Sequence, residues 1–342
     1  MLKAKRSNNK AAYIAALFFY LRRSFILFLF IAILSFFVWV AIKSTHPCLP
    51  SEKRPLILYS NQCKDDLKLV YLRAIESANS SLFLVIYGLT APDIIKALQK
   101  KIEEGIVVRV FYDTGGSKGI ESHLPKEVAF PIKSSGLMHK KILVVDEIRV
   151  FMGSANLTES SLHMHDNLVL GCYHKGLSTF LQTSLDPSYQ FTIQGQDLEL
   201  WSLPEQEKKA IGRILDEINK AKNSLRVCMF TFTSKEIANA LLEAKKRGVK
   251  IEVAFDFYSA RGASKQNLET LQKENIATFT SKGGKLLHHK WCLIDEKTLI
   301  LGSTNWTGSA FSKNDDCLIF LEGLLPQQIQ MMETIWNTLD LD

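Results

Sequence analysis

Two stretches of this chain carry the same run of apolar and polar positions. Residues 81–113 (SLFLVIYGLTAPDIIKALQKKIEEGIVVRVFYD) align without a gap on residues 224–256 (SLRVCMFTFTSKEIANALLEAKKRGVKIEVAFD). Each copy opens on an apolar run that reads as a strand and continues with apolar residues at helical spacing. Each then reaches a glycine, Gly105 or Gly248, before a second apolar strand. A third strand follows in both copies, LMHKKILVVD at 137–146 and LLHHKWCLID at 286–295. A further helical stretch precedes each unit, Asp65 to Ala78 and Pro204 to Ala221. Alternating strands and helices predict an α/β fold, each copy a sheet flanked by helices. A repeat of roughly 150 residues is too long for a solenoid and suits a duplicated domain.

The pattern changes at the N-terminus. Residues 24–42, SFILFLFIAILSFFVWVAI, hold no charge and are long enough to cross a bilayer as one helix. Lys3, Lys5, Arg6, Lys10, Arg22 and Arg23 precede them with no acidic residue, which predicts a cytoplasmic N-terminus and a non-cytoplasmic remainder. A cleaved signal peptide is the competing reading, but no A-x-A-like site follows the apolar run. Residues 11–21 are apolar but too short to span, and are expected at the membrane interface.

This segment also explains the net charge of +7. Residues 1–43 hold seven basic residues and no acidic one, so residues 44–342 carry 35 of each sign. The larger part is formally neutral, without the basic footprint usual for nucleic-acid binding. Runs such as Lys245, Lys246 and Arg247, or Lys282 and Lys285, are expected on solvated faces. Six cysteines fit no zinc spacing. A Cys48–Cys63 disulfide is conceivable, while Cys172, Cys228, Cys292 and Cys317 read as buried thiols. His163 and His165 read as ordinary loop residues, because no further ligand has metal spacing.

The chemistry lies in a pattern that occurs twice. His139, Lys141 and Asp146 are followed by Gly153, Ser154 and Asn156; His288, Lys290 and Asp295 are followed by Gly302, Ser303 and Asn305. In both copies Asn stands 17 residues after His. Residues two apart on a strand share a face, so each His and Lys project together. Asp146 and Asp295 fall on the other parity and are expected as structural supports. The Gly-Ser-x-Asn turn returns a hydroxyl (Ser154, Ser303) and a carboxamide (Asn156, Asn305) towards that face. Two such halves supply two imidazoles, two ammonium groups and two amides. That set suits displacement at phosphorus through one nucleophilic imidazole and one acid/base imidazole, with no metal or cofactor. Asp166 lies 27 residues after His139 and Asp316 lies 28 after His288. Both are candidates to orient a histidine through its far nitrogen.

These residues resemble the phospholipase D superfamily, whose signature is this motif in duplicate, and more narrowly its membrane-anchored bacterial-type members. The resemblance spans about residues 55–325. It implies two α/β halves related by a pseudo-twofold axis, each a mixed β-sheet flanked by helices, preceded by one transmembrane helix. The site would lie at their junction, complete within one chain, with His139 as nucleophile and His288 as acid/base. Asp166 and Asp316 stand where the family often has Glu. The domain plan is a basic segment 1–23, a span 24–42, a linker 43–63, and two halves at 64–198 and 199–342.

The substrate class follows less directly. GSTNWTGSA resembles compact nuclease-like and mitochondrial-type members, whereas synthases carry Asp and Arg-Ser after the Asn, unlike Leu157-Thr158-Glu159 or Trp306-Thr307 here. A membrane-anchored phospholipase D acting on a phospholipid head group is the leading expectation. Residues 123–132 (HLPKEVAFPI) are a possible apolar access segment for it, or simply a packed loop. A metal-independent nuclease is the alternative, and a non-catalytic tethered binding protein the third. Gly115 to Gly119 and Tyr258 to Ser264 are expected to border the pocket.

Overall fold

The structure is a computed structural model that describes residues 19–38, 47–184 and 186–342. Lys3, Lys5, Arg6, Lys10, Lys43, residues 11–18 and residues 39–42 of the expected span lie outside the described residues. Two compact units divide the chain, Met1–Pro47 and Cys48–Asp342. In the first, Phe19–Val38 forms one 20-residue helix, starting earlier than the uncharged run because Phe19 to Leu21 join it. At 1.5 Å per residue it reaches about 30 Å, the thickness of a bilayer's hydrocarbon core.

The second unit contains two sheets with one strand order. The first is built from β1 (Leu56–Tyr59), β2 (Ser81–Ile86), β3 (Val107–Asp113), β4 (Ala129–Ile132), β5 (Lys141–Val145), β6 (Arg149–Gly153) and β7 (Val169–Tyr173). The second uses β8 (Ser188–Ile193), β9 (Gln196–Ser202), β10 (Ser224–Met229), β11 (Lys250–Phe255), β12 (Ala277–Thr280), β13 (Lys290–Ile294), β14 (Thr298–Gly302) and β15 (Cys317–Glu322). Their orders are β4-β3-β2-β5-β6-β7-β1 and β12-β11-β10-β13-β14-β15-β9, with β8 added beyond β9. The β2–β3 and β10–β11 pairs are parallel, and the motif strands β5 and β13 join antiparallel. The mixed α/β architecture is therefore duplicated strand for strand.

Period-two burial explains the layering. One face of the first sheet (Leu82, Leu84, Ile86, Leu143, Val145) packs on helices Leu67–Glu76 and Pro92–Glu103 through Leu67, Val70, Ile75, Ile94 and Leu98. Helices Glu207–Lys220 and Lys235–Lys246 cover the second sheet in the same way. The opposite faces share a single apolar cluster: Ile142, Val144, Val150 and Met152 from the first sheet, Trp291, Leu293, Leu299 and Leu301 from the second. Each such buried aliphatic side chain contributes about 1.5–3 kcal/mol, and together they hold the halves together.

Several sequence expectations give way to this packing. Residues 56–59 are not linker: they form β1 on β7, although four apolar residues gave little strand signal. β8 precedes residue 198 yet pairs with β9 in the second sheet, because a tight hairpin at Gln194 and Gly195 joins them. Residues 129–132 of the apolar 123–132 stretch are an edge strand, with Leu124 and Ala129 in the core rather than lining an access route. Cys48 and Cys63 are both free, as are the other four cysteines.

The aspartates of the two motifs lock hairpins. Asp146 and Asp295 have φ of 52° and 50°, a left-handed conformation that costs energy outside glycine. The Asp146 carboxylate accepts from the backbone N–H of Asn79, Ser80 and Ser81, and Asp295 from those of Lys222, Asn223 and Ser224. These bonds offset the strain and tie the hairpin to the start of β2 or β10. Gly302 follows the same logic at the other strand end. Its φ is 143°, and a Cβ there would run into Cys317 O on β15. Gly302→Ala is expected to destabilise the fold by about 2–4 kcal/mol, read as a lower urea midpoint. An unmoved midpoint would show that the two strands tolerate a wider approach.

Candidate active site

The two motif histidines meet at the junction of the halves, each held by the opposite half. His139 N donates to Asp315 O at 2.8 Å, and Asp315 N donates to Leu137 O at 2.9 Å. The counterpart exchange is Asp166 N to Leu286 O, also 2.9 Å. These crossings place Asp316 and Asn167 beside the histidines. His139 Nδ1 lies 2.8 Å from Asp316 Oδ1, and His288 Nδ1 lies 2.9 Å from Asn167 Oδ1. The motif serines fix those partners: Ser303 Oγ donates to Asp316 at 2.6 Å and Ser154 Oγ to Asn167 at 2.8 Å. Asn167 Nδ2 in turn donates to Ser161 O at 2.8 Å.

The lysines lie under the same cluster. Lys141 Nζ donates to His139 O at 2.5 Å and stands 5.2 Å from the Tyr87 ring centroid. Lys290 Nζ donates to His288 O at 2.9 Å and stands 5.0 Å from the Phe230 ring centroid. Tyr87 and Phe230 also flank the imidazoles, at 5.4 and 5.0 Å between centroids. Asn156 and Asn305 follow the glycine turns half-buried, each with a buried Oδ1 that has no hydrogen-bond partner. Among the described residues no cluster of His, Cys, Asp and Glu could hold a metal ion.

The family described as cardiolipin synthase, PLD-like domain matches residues 71–186 and 214–338. The chain belongs to the PLD-like family. It is 32% identical to mouse mitochondrial cardiolipin hydrolase over 142 residues, 41% of this chain and 63% of that protein. It is 27% identical to a phospholipase D from Rickettsia prowazekii over 169 residues, 45% of this chain and 80% of that one. The matched stretch thus spans less than two thirds of the mouse protein. Among solved structures, phosphatidylserine synthase from Haemophilus influenzae superposes with a TM-score of 0.67 at 12% identity, covering 86% of this chain and 88% of that one. At that identity the likeness concerns the fold.

Within this PLD-like site one expectation is corrected. Asp166 does not orient a histidine; its carboxylate pairs with Lys285 at 2.7 Å. The partner of His288 is Asn167, which stands 28 residues after His139, the spacing that separates Asp316 from His288. Equal spacing was therefore the available signal. Asp146 and Asp295 sit at the far ends of β5 and β13, away from the imidazoles. The expected border segments act from behind. Ser117 Oγ accepts from Leu89 N and Ser264 Oγ from Phe232 N, while Asp113 and Asp256 accept from Met138 N and Leu287 N, just before each histidine. Tyr87 with Phe230, and Asp113 with Asp256, were readable as aligned positions of the repeat. His165 is the other residue that sequence reasoning passed over: its ring centroid lies 6.0 Å from that of His288.

The PLD-like centre is short of negative charge. Burial, then the Lys141 charge, pull His139 below the ordinary imidazole value, with Asp316 opposing them. His288 is pulled well below it by burial and then by Lys290 and Lys141, and Asn167 supplies no opposing charge. Burial drags Lys141 down to about 7, against the attraction of Asp316. Lys290 is driven well below its usual value by burial and by Lys141. Burial raises the Asp316 carboxyl, but His139 and Lys141 outweigh it and hold the group below its usual range.

An entering anion would relieve this repulsion. Sulfate, whose charge is constant across neutral pH, is expected to bind best below about pH 7, where Lys141 is protonated. Its affinity should fall as pH rises through that value, roughly tenfold for one lost charge interaction. Calorimetric titration with sulfate checks this, and Lys141→Met should flatten the profile. A flat profile in the unaltered protein would mean that Lys141 keeps its charge.

Proposed function

We propose that this chain is a phosphodiesterase of the phospholipase D type, which cleaves a phospholipid head group through a phosphohistidine on His139. The observation that carries the reading is the pair of unlike partners, a carboxylate behind His139 and an amide behind His288. With Nδ1 engaged, Nε2 of each ring is the nitrogen left for chemistry. Attack by His139 Nε2 on phosphorus forms an N–P bond and places positive charge on that ring. Asp316 lies against the opposite nitrogen and stabilises the charge throughout the life of the intermediate. The negative charge of the bound phosphodiester favours the imidazolium form of His288, which takes up a proton on Nε2. As the P–O bond to the head group breaks, that proton passes to the departing alkoxide. His288 then removes a proton from water, the resulting hydroxide attacks phosphorus, and the N–P bond breaks.

Lys141, Lys290, Asn156 and Asn305 direct donors at the non-bridging oxygens, where charge builds. Nearby, Asp113 and Asp256 brace the backbone ahead of each histidine. The phospholipid reading rests on the exposed apolar helix Phe19–Val38 and on the balanced charge of residues 44–342. On this reading the helix anchors the protein in a membrane, with Arg22, Arg23 and the basic residues before them on the cytoplasmic side. The mouse and Rickettsia relatives carry names for lipid hydrolysis, in keeping with it.

Two assays test the proposal. Head-group release from mixed phospholipid vesicles should fall at least about 10³-fold in His139→Ala and in His288→Ala. With a p-nitrophenyl phosphodiester, whose leaving group needs no proton, His288→Ala should still form the phosphoenzyme and accumulate it, whereas His139→Ala should form none. A phosphoenzyme trapped on His288 instead would reverse the two roles. Cleavage of single-stranded DNA without lipid turnover would move the chain to the nucleases.

A further inference from the structure

The duplication is broken on one side of the phosphate centre. Next to His139 the chain places Gly136, Asn314 and Asp315; the equivalent positions next to His288 are Lys285, His165 and Asp166. Asn314 is a structural residue, since its Oδ1 accepts from Leu137 N at 3.0 Å. His165 makes no such bond and stands half-buried beside His288. Here a cavity of about 490 Å³ opens, lined by Asn61, Gln62, His165, Asp166 and Lys285 among others.

The cavity is joined to His288 by neighbours on both strands. Asn167, which holds His288 Nδ1, follows Asp166 directly. His289, the residue after His288, places Nε2 3.1 Å from Gln62 Oε1, and Ser60 Oγ donates to the same oxygen at 2.6 Å. With Oε1 so occupied, the amide group of Gln62 is oriented, yet its Nε2 is buried with no partner. Asn61 Oδ1 is likewise buried with no partner. The lining contains donors, acceptors, the Lys285–Asp166 pair and the carboxylate of Asp340, but no Phe, Tyr or Trp. A quaternary ammonium is recognised by aromatic faces, which this cavity lacks.

We propose that this cavity receives the departing alcohol, and that His165, Gln62 and the Lys285–Asp166 pair select a hydroxyl-bearing head group such as glycerol over choline. The inference rests on the phospholipase reading above. His165 lines the cavity and its ring centroid lies 6.0 Å from that of His288, so an alkoxide leaving on that side passes the proton donor. Hydroxyls further along the alcohol satisfy Gln62 Nε2 and the free imidazole of His165. Lys285 pairs with Asp166, and Lys282 pairs with Asp340, the other carboxylate of the lining, so both acidic groups are matched by a lysine and neither is left to hold a trimethylammonium group.

The test compares glycerol release from phosphatidylglycerol vesicles with choline release from phosphatidylcholine vesicles, beside turnover of bis(p-nitrophenyl) phosphate. The full chain should prefer phosphatidylglycerol by about tenfold or more, a discrimination worth ~1.4 kcal/mol. His165→Asn, which restores the residue of the other side, and Gln62→Leu should each erode that preference several-fold. Both should leave bis(p-nitrophenyl) phosphate turnover intact, which also shows that the variants fold. Lys285→Ala exposes the Asp166 carboxylate and should raise choline release relative to glycerol release. Lipid turnover with an unchanged ratio in all three variants overturns the pocket assignment alone. Turnover of bis(p-nitrophenyl) phosphate with no lipid hydrolysis by the unaltered chain overturns the phospholipase reading and this assignment with it.

Discussion

Each half of this protein holds the other half's histidine, and the arrangement of the site follows from that exchange. The Asp315 N–Leu137 O and Asp166 N–Leu286 O bonds cross the junction in opposite senses. They bring Asp316 under His139 and Asn167 under His288. A half on its own would present a histidine with no group on its far nitrogen, while its serine held a partner with no histidine to meet. The energy that keeps the exchange closed comes from elsewhere, from the apolar cluster shared by the two inner sheet faces. That cluster must outweigh the burial of two lysines and two histidines that repel one another. Packing and chemistry oppose each other at this junction, and the site exists because packing wins.

Much of this was legible because duplication exposes it. The gapless alignment of 81–113 on 224–256 predicted the strand, helix and strand that appear as β2 and β3, β10 and β11, with their intervening helices. Parity along the motif strand placed Asp146 and Asp295 away from the imidazoles, and the structure shows them bound to backbone N–H groups instead. Less legible were contacts that cross between halves, since sequence spacing reports only local geometry. A carboxylate makes Asp166 the candidate by residue type, whereas position, not charge, decides the partner; Asn167 stands at the required place. β1 escaped because LILY is four residues long and draws its stability from an edge pairing with β7. His165 escaped for a related reason: its neighbour His288 is distant in sequence.

The departures from symmetry carry the functional content. A scaffold with two carboxylate partners would hold both imidazoles ready to take a proton, and one with two amides would leave a phosphorylated imidazole without an adjacent negative charge. On the proposed mechanism one of each separates the roles: Asp316 offsets a lasting positive charge on His139, while the imidazolium of His288, facing only an amide, gives up its proton readily. The same division runs outward through Tyr87 opposite Phe230 and Asn314 opposite His165. A phosphodiester has two unlike ester oxygens, and only a site with unlike sides can tell which of them should leave. On the proposed mechanism, the residues common to both halves hold the phosphate, and the few side chains that differ between them give the site its direction.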